Sequence, residues 1–310
     1  MDTAVKRARG RVTMIVVKLL FVTDAASEYP IRRYQGSGGI QLVAEVGGNP
    51  SAPTVLLLHG GGQTRHSWRG AMKELVSRGY HVVNLDARGH GDSDWAPDGR
   101  YSLDVLAEDL MRVVNTLRSK PVLVGASMGG ATALYLVGNH EAPIATALVL
   151  VDFVPLINAP GAARIRAFMS AHIGGFASLE EATDAIHEYN PRRARPEDNH
   201  GLLKNLRRKT NGRLYWHWDP RVIAQGTDAE PPLWADQLTA AADQVTIPTL
   251  LVRGLESDVV TDQGVADLKN RIPQLELFNV TEAGHMVAGD KNDAFSSGVF
   301  DFLRRKLPVP

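Results

Sequence analysis

Short apolar runs alternate with helical patterns along most of this chain. Runs whose length is typical of buried strands occur at 54–58, 80–85, 122–124, 147–151, 249–253 and 275–280. Between them, apolar residues recur at three- to four-residue spacing, as at 102–117, which predicts helices. Strands alternating with helices predict an α/β fold: a mainly parallel sheet covered by helices on both faces.

Two regions depart from this alternation. Near the start, 31–34 and 40–46 read as two strands joined by a glycine-rich turn, which predicts a hairpin. From 155 to 246 the chain shows helical patterns, among them 202–208, but no convincing strand. We therefore predict an α/β core of residues 31–154 and 247–310, with residues 155–246 inserted as a helical cap. We expect this cap to cover the carboxyl edge of the sheet, because ligands bind at that edge in open α/β sheets.

Composition limits the partners of this 310-residue chain. Its 34 basic and 34 acidic residues leave no net charge, so a surface that attracts nucleic acid or anionic lipid is not expected. The absence of cysteine excludes disulfides, thiolate metal sites and a cysteine nucleophile. We therefore expect a small-molecule substrate.

The first thirty residues form a separate segment. Basic residues at 6–11 precede an apolar stretch at 12–22 that Lys18 interrupts, in the order of an export signal. The stretch is too short to span a bilayer as a helix. We expect residues 1–30 to be an N-terminal extension without fixed structure, or translation to start at Met14. We also expect the protein to be cytoplasmic, with export as the alternative.

The first chemical motif is Gly125-Ala126-Ser127-Met128-Gly129, directly behind a predicted strand and ahead of a predicted helix. A serine at such a sharp strand-to-helix turn is lifted clear of the sheet, and flanking glycines let the two elements approach. The amide of Met128 then points from the helix N-terminus toward negative charge near the serine oxygen. The alternative interpretation is an ordinary strand–turn–helix connection.

A second motif, His59-Gly60-Gly61-Gly62, closes the strand at 54–58. Glycines there allow the backbone to direct amides inward, so Gly61 joins Met128 as a candidate oxyanion donor. The alternative is a phosphate-binding loop or a plain turn, but no Gly-x-Gly-x-x-Gly or Walker pattern accompanies it. We expect His59 to brace this loop by hydrogen bonds.

A serine nucleophile needs a base, and the base needs a carboxylate that orients it. Of ten histidines, His285 directly follows the predicted strand at 275–280, late in the chain. Asp258 lies in the loop after 249–253, and the order Ser127, Asp258, His285 is the one expected for this fold. Asp152, which directly follows 147–151, is the alternative acid.

With these motifs in place, the chain resembles α/β-hydrolases of the epoxide hydrolase, haloperoxidase and C–C hydrolase branch over about 31–303. The resemblance rests on the segments LLLHGGG, DARGHGDSD, GASMGG, RGLESDVV and EAGHM. It implies Ser127 as nucleophile, His285 as base, Asp258 as acid and the amides of Gly61 and Met128 as oxyanion donors. Many members of this branch use an aspartate nucleophile, whereas this chain has a serine.

The serine implies cleavage of a small carboxylic ester or lactone through an acyl-enzyme, with no cofactor or metal. Alternatives are C–C hydrolysis of ring-fission products, cofactor-free perhydrolysis, and, from another class, a ligand receptor with little turnover. In the cap, a set of large aromatic residues suggests a pocket for an apolar group: Phe168, Tyr215, Trp216 and Trp218. The alternative is that these aromatics form the cap's own core.

Overall fold

The computed structural model describes residues 28–191, 195, 198–224, 234–285 and 292–309. Its centre is an eight-stranded sheet with the order β1-β2-β4-β3-β5-β6-β9-β10. These strands are β1 (Ile31–Gln35), β2 (Gln41–Gly47), β3 (Thr54–Leu58), β4 (His81–Leu85), β5 (Val122–Ala126), β6 (Ala147–Val151), β9 (Thr249–Gly254) and β10 (Leu275–Val280). From β4 to β10 all neighbours pair in parallel, as the alternation of strands and helices predicts.

Helices cover both faces of the sheet. The helices of the chain are α1 (Arg69–Ser77), α2 (Leu103–Val114), α3 (Met128–Gly138), α4 (Ala159–Ala171), α5 (Leu179–Tyr189), α6 (Arg221–Ala224), α7 (Trp234–Asp243), α8 (Asp262–Arg271) and α9 (Asn292–Lys306), of which α4, α5 and α6 belong to the insertion. Along β3, Leu56 and Leu58 belong to one apolar core, and Val55 and Leu57 to the core on the opposite face. Burial on both faces explains why the parallel strands are continuously apolar.

The predicted N-terminal hairpin is confirmed. β1 pairs antiparallel with β2, with Gln35 opposite Gln41, and the turn between them is one 3-10 helix, Ser37–Gly39. β2 then pairs antiparallel with β4, so this hairpin forms one end of the sheet.

The predicted insertion contains α4 and α5, but the expectation that it lacks strands is wrong. Instead of a helix at 202–208, a 3-10 helix (His200–Asn205) leads into β7 (Leu206–Arg208), which pairs antiparallel with β8 (Leu214–Trp216). Three-residue strands are too short to show a period in the sequence. They form because Leu206 and Leu214 are buried around Phe176 in a small separate core.

The last helix of the predicted insertion belongs to the core of the molecule. Leu238 and Ala242 of α7 are buried in the same apolar cluster as Leu134 of α3. The part of 155–246 that stands apart from the sheet therefore ends before α7, short of the predicted boundary. Of the predicted N-terminal extension, residues 1–27 lie outside the described residues. No helix in the described part of the chain is long and apolar enough to cross a membrane.

Candidate active site

Ser127 lies at the sharp turn between β5 and α3. Its backbone has φ 46° and ψ −113°, a region that residues with a side chain rarely adopt. The flanking glycines explain how the turn closes: a Cβ on Gly125 would stand 2.4 Å from the Gly129 carbonyl, and one on Gly129 would stand 2.5 Å from the Leu58 carbonyl oxygen. The sequence pattern therefore corresponds to a strained turn that presents the serine at the carboxyl edge of the sheet.

His285 contacts a buried carboxylate. Its Nδ1 lies 2.8 Å from Oδ2 of Asp152, whose side chain has no exposed surface, whereas that of His285 is 12% exposed. Because a carboxylate only accepts, Nδ1 donates this hydrogen bond, and in the neutral imidazole Nε2 is then the acceptor. Asp152 follows β6 directly, and its backbone N–H donates to the Val252 carbonyl of neighbouring β9. The sheet itself therefore fixes this aspartate.

The structure corrects the predicted acid. Asp258 does not contact His285; its carboxylate pairs with Arg164 of α4, with 3.0 Å between Oδ2 and Nη2. The physical reason is the path of the loop after β9, which turns the Asp258 side chain toward the cap while Asp152 already occupies the position beside the imidazole. The alternative acid, Asp152, is the one that the geometry supports.

Sequence reasoning missed a residue of this loop, Ser257. Its hydroxyl donates to Asp152 Oδ2 at 2.5 Å, and the Gly254 N–H donates to Oδ1 at 3.0 Å. With His285, three donors satisfy the buried carboxylate. Nothing in the sequence distinguishes Ser257 from its neighbours, because its role depends on Asp152, 105 residues away.

The glycine loop after β3 directs its amides to different acceptors. The Gly60 N–H donates to Gln63 Oε1 at 3.0 Å, and the Gly62 N–H donates to His90 Nε2 at 3.1 Å. The Gly61 and Met128 amides have no such acceptor among the described residues. A Cβ on Gly61 would lie 3.9 Å from the Met128 side chain, so the two amides belong to neighbouring stretches of backbone. They remain the candidate oxyanion donors.

His59 and His90 brace this loop from beneath. His59 Nδ1 lies 2.8 Å from the Gly60 carbonyl, and its Nε2 accepts from the Ala87 N–H at 3.0 Å. Burial lowers the pKa of His59 to about 4. Burial and the neighbouring His59 lower the pKa of His90 to about 3. Both rings are therefore neutral, and the expected bracing role of His59 is confirmed.

A large cavity opens above Ser127. Its volume is about 760 Å³, and Ser127, Met128, Gly61 and His285 line its floor. Three of the predicted pocket aromatics, Phe168, Trp216 and Trp218, line its cap side together with other mainly apolar side chains: Ile165, Met169, Ile186 and Tyr189. The cavity is therefore a site with reactive groups at its base and an aromatic wall in the cap.

The fourth predicted aromatic, Tyr215, does not line the cavity. Side chains alternate along β8, so Tyr215 points away from the side that carries Leu214 and Trp216. Its hydroxyl accepts from Asn211 at 2.9 Å, and Lys209 Nζ lies 4.0 Å from the ring centroid. The prediction that Tyr215 lines the pocket is therefore wrong: Tyr215 supports the β7–β8 turn.

These groups are the set that nucleophilic acyl transfer requires: a serine, a histidine held by a carboxylate, and amides beside the serine. No group of three histidine, aspartate or glutamate side chains suited to a metal ion occurs among the described residues.

Comparison with known proteins agrees with this architecture. The alpha/beta hydrolase fold family matches residues 53–291, and the chain belongs to this family. The predicted superfamily and fold class are thereby confirmed.

Three relatives illustrate the relationship. Esterase Rv0045c of Mycobacterium tuberculosis is 34% identical over 248 residues, which cover 78% of this chain and 79% of that protein. Its solved structure superposes with a TM-score of 0.70 at 31% identity, covering 88% of this chain and 91% of the other. The sn-1-specific diacylglycerol lipase ABHD11 of Mus musculus is 29% identical to this chain, and the match covers 83% of this chain and 82% of that protein.

A further solved structure shows the shared fold. The structure of E-2-(acetamidomethylene)succinate hydrolase superposes with a TM-score of 0.76 at 24% identity, and the match covers 89% of this chain and 99% of the other. The esterase relatives support a hydrolase of the α/β fold.

Proposed function

We propose that the protein is a serine hydrolase that cleaves a small carboxylic ester or lactone through an acyl-enzyme. The observation that carries this proposal is the hydrogen bond of His285 to buried Asp152. His285 lines the same cavity as Ser127, which lies at a strained turn. The similarity to Rv0045c, which is named as an esterase, supports the same proposal.

In the proposed reaction, Ser127 Oγ attacks the carbonyl carbon while His285 Nε2 takes the hydroxyl proton. The negative charge on the carbonyl oxygen is stabilised by the amides of Gly61 and Met128, and the charge on the imidazolium by Asp152. Collapse of this intermediate breaks the bond to the alcohol, which leaves with the proton from His285. A water molecule, activated by His285, then hydrolyses the acyl-serine and releases the acid.

The cavity indicates which substrates fit. A volume of about 760 Å³ exceeds what a simple acetate ester fills, and Phe168, Trp216 and Trp218 form an apolar wall. Burial of a larger apolar acyl or alcohol group against this wall is favourable by about 25 cal/mol per Å² of apolar area. We therefore propose esters with a medium-length aliphatic or an aromatic group as substrates.

The decisive experiment combines a fluorophosphonate probe with p-nitrophenyl esters of increasing chain length. The wild type is expected to be labelled and to hydrolyse the esters, whereas Ser127→Ala should lose labelling and at least about 10⁴-fold in kcat. The control is Ser77→Ala, at the exposed end of α1, which should retain both. A Ser127→Ala protein that is folded and still turns over these esters would refute the mechanism.

A further inference from the structure

Helix α4 forms part of the cap wall of the cavity. Its residues Ile165, Phe168 and Met169 all line the cavity. Met169 also reaches the glycine loop, since its Cε would lie 3.1 Å from a Cβ on Gly62. The position of α4 therefore determines how much space an acyl or alcohol group has above Ser127.

The start of α4 is attached to the loop after β9, at Asp258. The Asn158 side chain donates to the Asp258 carbonyl at 2.9 Å, and the Asn158 N–H donates to the Val259 carbonyl at 2.9 Å. Gly161 lies so close that a Cβ there would stand 2.1 Å from the Asp258 carbonyl oxygen. These contacts hold the first turn of α4 directly against the core.

The Asp258 side chain adds a second attachment, one turn further along. Its carboxylate pairs with Arg164, whose guanidinium carbon lies 5.3 Å from the centroid of the Tyr189 ring. Tyr189 in turn stacks on Phe168 with 4.4 Å between ring centroids. A chain of contacts thus runs from a core loop through the ion pair to the aromatic wall of the cavity.

We propose that Asp258 is a positioning residue for the cap: with Arg164 and Gly161 it holds α4 over the site and thereby sets the preference for larger apolar groups. The preference rests on the proposed ester hydrolysis, whereas the attachment itself does not. The Arg164 side chain is 57% exposed and that of Asp258 33% exposed, so solvent screens the ion pair. Loss of the ion pair is therefore expected to change the affinity for a large ester substrate by no more than about fivefold.

The first arm of the test measures the attachment without using activity. Hydrogen exchange of the amides in 159–171 should accelerate in Asp258→Asn and Arg164→Gln, with no further increase in the double variant. Arg166→Gln is the matched control, because Arg166 is an exposed arginine of the same helix with the same change in charge. Equal exchange in Asp258→Asn, Arg164→Gln and wild type would overturn the proposed attachment.

The second arm measures selectivity with p-nitrophenyl acetate and p-nitrophenyl octanoate. In Asp258→Asn and Arg164→Gln, KM for octanoate is expected to rise about three- to fivefold with kcat retained, while KM for acetate changes less than twofold. Gly161→Ala should have the larger effect on octanoate, although alanine is the better helix former, because its Cβ displaces α4. Equal KM changes for both esters would overturn the role in selectivity.

The two arms separate this proposal from the proposed function. A wild type that hydrolyses neither ester refutes the hydrolase and the selectivity together, and hydrogen exchange then still decides whether Asp258 attaches α4. Active wild type with unchanged exchange and unchanged KM in all three variants refutes only the role of Asp258.

Discussion

Two aspartates, Asp152 and Asp258, follow neighbouring parallel strands, yet only Asp152 contacts His285. Asp152 comes directly after β6, so the sheet places its carboxylate at the edge, although its backbone adopts φ 45° to do so. Asp258 lies in the loop beyond β9 and pairs with Arg164. At the scale of single residues, the direction of a side chain decides against Asp258, the candidate that the sequence pattern favours, and for Asp152.

This difference leads to a prediction for the two aspartates. Asp152→Asn should lower kcat for a short ester by about 10³- to 10⁴-fold, because the amide can present its NH₂ group to Nδ1 and favour the wrong tautomer of His285. Asp258→Asn should leave that kcat within about twofold. Steady-state kinetics with p-nitrophenyl acetate measures both.

The reverse result, a severe loss in Asp258→Asn and a mild one in Asp152→Asn, would restore the acid that the sequence pattern favours. Circular dichroism of both variants excludes unfolding as the cause.

At the scale of elements, the turn between β5 and α3 depends on close contact with β3. Gly129, in the first turn of α3, lies against Leu58, and a Cβ there would lie 2.5 Å from the Leu58 carbonyl oxygen and 2.7 Å from its Cβ. Backbone carbonyls of a central strand cannot move aside without disturbing the pairing of β3 with β4 and β5. The glycine is therefore a requirement of packing rather than of chemistry.

Gly129→Ala is accordingly expected to lower the free energy of unfolding by about 2–4 kcal/mol, since the added methyl group forces α3 away from the sheet. Urea denaturation followed by circular dichroism measures this change. The matched control is Gly61→Ala, where the nearest atoms lie 3.9 Å away and stability should change by less than about 0.5 kcal/mol. Equal stability of the two variants would show that the turn relaxes without strain.

At the scale of the whole molecule, buried neutral histidines connect the core loops to the cap. His90 accepts from Gly62 through its ring, and its backbone forms a β-bridge with Trp218 in the cap. His217, the residue before Trp218, is buried near Asp92. Burial together with the charge of Arg207 lowers the pKa of His217 to about 4. His59, His90 and His217 therefore all remain neutral in the folded protein at pH values where free histidine is protonated.

These three residues predict acid sensitivity. Their folded pKa values, about 4, about 3 and about 4, lie below the unfolded value near 6.5. Below pH 6.5 the unfolded chain therefore binds more protons than the folded one, so the free energy of unfolding falls as pH falls from 6.5 toward 4. Each histidine contributes up to about 1.4 kcal/mol per pH unit in this window.

Urea denaturation at several pH values between 7 and 4.5 measures this dependence. His90→Gln, which keeps an acceptor for the Gly62 N–H, should reduce the pH slope by about one proton. The same substitution at exposed His140 is the control. A slope that His90→Gln leaves unchanged would mean that His90 is protonated in the folded protein.

The sequence by itself determined the features that depend on neighbours along the chain. Alternating apolar runs and helical spacing predicted the parallel sheet and its helices, because burial on both faces imposes that pattern locally. The glycines around Ser127 and after His59 predicted the sharp turn and the inward loop, because the backbone requires them there.

Tertiary structure alone decided the features that join distant segments. Asp152 and His285 are 133 residues apart, and only the folded sheet shows that this aspartate rather than Asp258 reaches the imidazole. The short strands β7 and β8 form because Leu206 and Leu214 bury against Phe176, and this pairing turns Tyr215 away from the cavity. Such choices depend on side-chain direction and burial among segments far apart in the sequence, which no local pattern encodes.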